Sequence, residues 1–132
     1  MPGKLTMTAS QREEVLTAAR ITIRALEPAL EEEVAVAYER LANHFPHLRR
    51  ANGEHNRALE DWLDDLEEVP ADLLREACRL WRTSDAERFP TPGQLIAQIS
   101  AILKHRQALG RRAEAYLRSV PLALANQRKE AA

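Results

Sequence analysis

From Leu95 to Val120, the positions Leu95, Ile99, Ile102, Arg106, Leu109, Ala113, Tyr116 and Val120 step alternately by four and three residues. That spacing is the heptad period of a helix with one apolar seam, and Arg106 is its single charged interruption. The start is marked as clearly as the stripe. Thr91 can cap the helix through its hydroxyl, and Pro92 fits the first turn, where a missing N–H costs nothing. A helix of nearly thirty residues extends roughly 40 Å at 1.5 Å per residue, more than a 132-residue chain can cover along its whole length. The first half is therefore expected in the core. Beyond Gly110 the helix is expected to project or to pair with another chain, the alternative being a break at Gly110. Pro121 is expected to end it or to leave a frayed tail.

The other segments read the same way. Alanine, leucine, glutamate and arginine dominate, aromatics are 5%, and β-branched runs are missing, a balance that favours helices. Ser10-Gln11-Arg12-Glu13 is a capping-box pattern for a first helix with Val15, Leu16, Ala19, Ile23 and Leu26 on one stripe. Pro28 interrupts that stripe and can start a second helix carrying Leu30, Val34, Ala37, Tyr38 and Leu41. The second helix is expected to end near Asn43, before Phe45-Pro46. A third helix is expected over 54–67, with Leu59, Trp62, Leu63 and Leu66 inward. Pro70 opens a fourth, with Leu73, Leu74, Ala77, Cys78, Leu80 and Trp81 on its buried side. The expectation is an all-α, compact bundle of about five helices with a long C-terminal helix. Residues 1–8 are expected to be disordered, 9–109 to form the helical domain, and 110–132 to form a basic C-terminal helix extension or flexible tail.

The net charge of −1 hides a gradient. Residues 53–90 carry five basic and eleven acidic side chains, whereas 91–132 carry seven basic and two acidic. Such polarity suits a chain that shows different faces to different partners, although a solvated face on each helix would read the same way. Asp61, Asp64 and Asp65, with Glu60, Glu67 and Glu68, make the outer face of the third helix acidic. Lys104, Arg106, Arg111, Arg112 and Arg118, with Tyr116 as the only aromatic, make the end of the chain basic. These nine residues, Asp61, Asp64, Asp65, Lys104, Arg106, Arg111, Arg112, Tyr116 and Arg118, are the expected partner-binding positions.

Catalytic chemistry finds little footing. The four glycines, Gly3, Gly53, Gly93 and Gly110, allow no phosphate-cradling loop. His44 and His47 are separated by Pro46, and with His55 they lack carboxylate or cysteine support at a zinc spacing. They read as surface histidines. The single cysteine, Cys78, sits on an apolar stripe and reads as a small core residue. No cofactor and no metal are expected. The N-terminus has no basic-then-apolar signal pattern, and no apolar run approaches a membrane span. The expected location is cytoplasmic, with no membrane contact. A helix-turn-helix reader wants a short recognition helix; the basic end here suits weak contact with the DNA backbone rather than base reading.

The pattern Trp62, Leu66, Val69-Pro70, Ala77, Trp81 and Phe89-Pro90, followed by Thr91-Pro92, resembles the helical domain of phage replicative-helicase loaders and helicase inhibitors. Leu41 to Pro46, ending in Phe-Pro, resembles that family's entry segment, and the likeness covers roughly 30–103. The resemblance implies a small helical protein, phage or prophage in origin, that takes part in DNA replication without an ATPase of its own. Such proteins bind a hexameric DNA helicase and deliver it to an origin complex or withhold it, largely through a flexible C-terminal part. On this basis the chain is expected to be a non-enzymatic replication accessory with a replicative DNA helicase as partner. The alternatives are a nucleic-acid-binding regulator that uses the basic C-terminal helix, and a phage structural or assembly protein that forms a homodimer through that helix.

Overall fold

The computed structural model describes residues 7–45 and 52–131, with side chains throughout except those of 52 and 120–131. Pro46 and His47, and the side chains of Val120, Arg128 and Lys129, lie outside the described residues. Five helices account for the fold: α1 (Ala9–Arg24), α2 (Glu31–His44), α3 (Asn52–Asp65), α4 (Ala71–Arg82) and α5 (Pro92–Ala131). Among the described residues there is no strand, only an isolated bridge between Pro28 and Pro70. The chain is all-α.

The first cap differs from expectation. Thr8, not Ser10, is the N-cap of α1: its hydroxyl accepts from the Gln11 N–H at 3.1 Å, and Gln11 Oε1 accepts from the Thr8 N–H at 2.8 Å. Two capping boxes overlap in the sequence, and the earlier one wins because it adds two residues of helix. At α5 the expected cap is present with a second half. Thr91 Oγ1 accepts from the Gln94 N–H at 3.2 Å, and Gln94 Oε1 accepts from the Thr91 N–H at 2.9 Å.

Gly93 needs no special backbone. Its φ is not positive, and a β-carbon there would meet only Thr91 Oγ1 at 3.9 Å. The close approach that a glycine might have permitted at this step is not used. Gly93→Ala is accordingly expected to stabilise the chain by about 0.5 kcal/mol, because alanine loses less conformational freedom in a helix. A small rise in the denaturation midpoint checks this.

Two compact units divide the chain, Leu26–His105 and a second formed by Met1–Ala25 with Arg106–Ala132. The central unit, Leu26–His105, is built around Val34, Tyr38, Leu41, Phe45, Trp62, Leu66, Leu74, Ala77, Leu95 and Ile99, all buried. Its entry points are locked together, since the Ala29 N–H donates to the Val69 carbonyl at 2.9 Å beside the Pro28–Pro70 bridge. Neither proline can donate, so one bond from Ala29 sets the register. α2 begins two residues after Ala29 and α4 two residues after Val69, so the two helices start side by side.

The other unit explains the charged interruption in the seam. Arg12, Leu16, Ala19 and Ile23 form the less exposed stripe of α1, and Gly110 and Ala113 are buried on α5. Arg106 Nη1 donates to the carbonyl of Ala25, the C-cap of α1, at 3.1 Å. A cation at a helix C-terminus meets both an unsatisfied carbonyl and the negative end of the dipole. Gly110 does not break α5, and the helix is assigned to Ala131, beyond Pro121. The segment after Gly110, expected to project or to pair with another chain, shares a compact unit with α1.

Candidate functional site

The residues that carry the family resemblance converge in the core of the central unit. Trp62 is 2% exposed and meets Tyr38 edge-on at 5.1 Å and Phe89 in a stack at 5.4 Å. Phe89 also meets Tyr38 and Phe45 at 5.2 and 6.4 Å. Trp81 donates its indole N–H to the Arg88 carbonyl at 2.8 Å, which pins the loop between α4 and α5. Pro90 is buried, while Thr91 is exposed and spends its hydroxyl on the helix cap. Pro92 opens α5 and is half-buried. Each of these positions therefore has a structural role.

The expected partner-binding residues fall in both units. Asp61, Asp64 and Asp65 are exposed on α3, in the central unit. Lys104 is exposed in that unit too, whereas Arg111, Arg112 and Arg118 are exposed in the other. None of these seven forms an ion pair among the described residues. Arg106 is bound to the Ala25 carbonyl, and Tyr116 is half-buried. The heptad seam is largely consumed within the chain: Leu95 and Ile99 are each 1% exposed and Ala113 is 9% exposed. Among the described seam residues, Ile102 and Leu109, at 50% and 39%, are the exposed apolar ones.

His55 and Cys78 both take part in the packing of the central unit. His55 is not a free surface residue. Its Nε2 lies 3.2 Å from a Glu39 carboxylate oxygen and its Nδ1 lies 3.4 Å from the Tyr38 hydroxyl. With Nε2–H donating to Glu39, Nδ1 is left to accept from Tyr38, which gives a buried phenol the partner it requires. Cys78 is 3% exposed, and burial pushes its thiol up to about 11, outweighing the opposing pull of Arg82 and Arg40. A thiol so protonated at neutral pH is a poor nucleophile. Among the described residues no group of His, Cys, Asp or Glu could hold a metal ion, and no helix is long and apolar enough to cross a membrane.

Sequence reasoning missed one feature, a groove of about 700 Å3 between α2 and α4. Ala37, Ala71, Leu74 and Cys78 line it, and Val36, 66% exposed, contributes an apolar side chain. Glu32, Glu33 and Asp72 lie at the starts of the two helices, Arg75 lies one turn into α4, and Arg40 and Arg82 lie toward the helix ends. Between them Glu76 and Arg79 form a two-point ion pair, with Arg79 Nε donating to Glu76 Oε2 at 2.9 Å. That hydrogen bond lowers the Glu76 carboxyl below its usual range and raises the Arg79 guanidinium. Arg40 and Arg82 form no ion pair among the described residues. The only sequence signal was that two proline-preceded helices each begin with acids and carry arginine later, which says nothing until the helices are known to be neighbours.

No protein-family model, curated protein or solved structure matches the chain.

Proposed function

We propose that this chain is a non-enzymatic replication accessory protein that works by protein contact, binding a hexameric replicative DNA helicase and loading or inhibiting it. The observation that carries the reading is a separation of roles. The resemblance residues Trp62, Trp81 and Phe89 are spent on packing and on pinning a loop, while Asp61, Asp64 and Asp65 stand exposed on α3 with no ion pair among the described residues. A clustered acidic face of this kind steers a basic partner and repels an acidic one. The identity of the partner rests on the resemblance described above.

A titration of the labelled chain with the purified helicase of its host tests this. The wild-type chain is expected to bind. Joint replacement Asp61→Lys, Asp64→Lys and Asp65→Lys is expected to weaken binding by about tenfold or more. A rise or fall in unwinding then separates loading from inhibition. A second reading, DNA binding, has its own support in the exposed Lys104, Arg111, Arg112 and Arg118. It calls for salt-dependent binding of duplex DNA that is lost with Arg111→Glu and Arg112→Glu. Helicase binding absent and DNA binding present would replace the first reading with the second.

A further inference from the structure

Four arginines border the groove between α2 and α4, and among the described residues only Arg79 has a carboxylate partner. Two of the others converge. Arg40 comes from α2 and Arg82 from the last turn of α4, and both guanidiniums pull on the same buried thiol, Cys78. Arg82 has a local reason for its place, because a cation in a last turn meets the negative end of its own helix. Arg40 has no such reason: His44 is the basic residue in the last turn of α2, and Arg40 stands a turn earlier. Two like charges held near one apolar floor repel each other, and an anion between them turns that repulsion into attraction.

The acids nearby do not supply that anion. Glu76 is held by Arg79, and Glu39, next to Arg40 in sequence, is held by His55. Glu32 and Glu33 stand about two turns before Arg40 on α2, and Asp72 stands nearly three turns before Arg82 on α4. Asp85 and Glu87, just after α4, form no ion pair among the described residues. Arg75 stands about two turns before Arg82, so it adds to the positive field without reaching the same point. We propose that the Arg40 and Arg82 end of this groove binds a phosphate monoester carried on a small apolar body. A phosphate dianion matches two guanidiniums in charge, whereas a carboxylate leaves one over, and the planar fork of arginine meets phosphate oxygens in pairs. Val36, 66% exposed, and Ala37 lie one turn before Arg40 and set uncharged surface beside the anion. The groove volume of about 700 Å3 is of the size that small ligands occupy. The site goes beyond the helicase reading and is independent of it, because no residue of it lies on the acidic face of α3.

Titration of the intact chain with phenyl phosphate, inorganic phosphate and benzoate, followed by NMR of the arginine Nε–H groups in about 0.1 M chloride, tests the proposal. Phenyl phosphate is expected to bind at about 1 mM or below, to move the Arg40 and Arg82 signals most, and to bind more tightly than inorganic phosphate, which lacks the apolar body. Benzoate, with the same ring and a single charge, is expected to bind about tenfold more weakly. Arg40→Gln and Arg82→Gln should each weaken phenyl phosphate by about tenfold or more, the usual cost of losing one hydrogen bond to a charged group. Arg75→Gln should change it by no more than about twofold, since salt screens a charge two turns away. All three variants should keep the far-UV circular dichroism of the wild-type chain. A phosphoserine peptide that binds more tightly than phenyl phosphate, with the same two signals moved, would support the site and place the phosphate on a protein. Benzoate binding as tightly as phenyl phosphate, an Arg75→Gln loss equal to the other two, or signals that move evenly over all the arginines would overturn the proposal. So would no binding of phenyl phosphate at about ten times the expected concentration.

Discussion

A Trp62→Ala variant is expected to lose about 3–5 kcal/mol of stability, the largest single effect in this chain. The indole is 2% exposed and stacks on Phe89 at 5.4 Å while receiving the Tyr38 ring edge-on at 5.1 Å. Removing it takes away transfer free energy and leaves a cavity that α2, α3 and the α4–α5 loop all border. Against a usual total of about 5–15 kcal/mol, such a loss brings a small domain close to unfolding. Urea denaturation followed by circular dichroism measures it. Trp81→Phe is the useful comparison, because that residue gives up chiefly the hydrogen bond to the Arg88 carbonyl, worth about 1 kcal/mol. Equal losses at the two positions would mean that the aromatic cluster is not the keystone of the central unit.

The second large effect is an alkaline loss of stability set by Cys78. Burial raises this thiol from 9.0 to about 11. A thiol is an acid, so a raised value means that the folded state holds the proton more tightly than the unfolded state does. The contribution is complete below the unfolded value near 9 and disappears as the pH rises through about 11. At about 1.4 kcal/mol per unit, the loss across that window is about 3 kcal/mol. Cys78→Ala is expected to flatten this part of the stability profile. Parallel profiles for the two chains would show that another group governs the alkaline limb.

Much of this architecture was readable because it depends on local chemistry. Thr91-Pro92 predicted the start of α5, and the observed cap needs only residues three apart. The apolar stripes placed Trp62, Leu66, Leu74 and Ala77 inward, and all four are buried. What was not readable depends on contacts distant in sequence. The α2–α4 register hangs on one bond between Ala29 and Val69, and no local pattern announces it. The grouping of α1 with the end of α5 was hidden for a related reason. A stripe with Gly110 and Ala113 in it fits a helix of the same chain as readily as one of another chain, and only the Arg106–Ala25 bond tells them apart. The groove follows from the pairing of α2 with α4, so a reading that could not pair the helices could not see it.

For function, the sequence supplied candidate charges but not their neighbourhoods. Asp61, Asp64 and Asp65 lie where helical spacing puts them, on the outside of α3. Arg106 looked like one more member of the basic surface and instead caps a helix end. Lys104, Arg111, Arg112 and Arg118 remain exposed but fall in two different units. This distribution makes truncation after Gly110 a poor probe of partner binding, since it removes the helix that shares a unit with α1. Charge substitutions at single exposed positions leave the packing in place and report on contact alone.

The central claim, that the exterior of a small helical scaffold recruits a replicative helicase, is tested most directly by tagging the intact chain in its native host and identifying what co-purifies after nuclease treatment. The account predicts the replicative helicase at a fixed ratio to the chain, diminished when Asp61, Asp64 and Asp65 are changed to lysine. Recovery of the chain alone, or only with nuclease-sensitive nucleic acid, would contradict it.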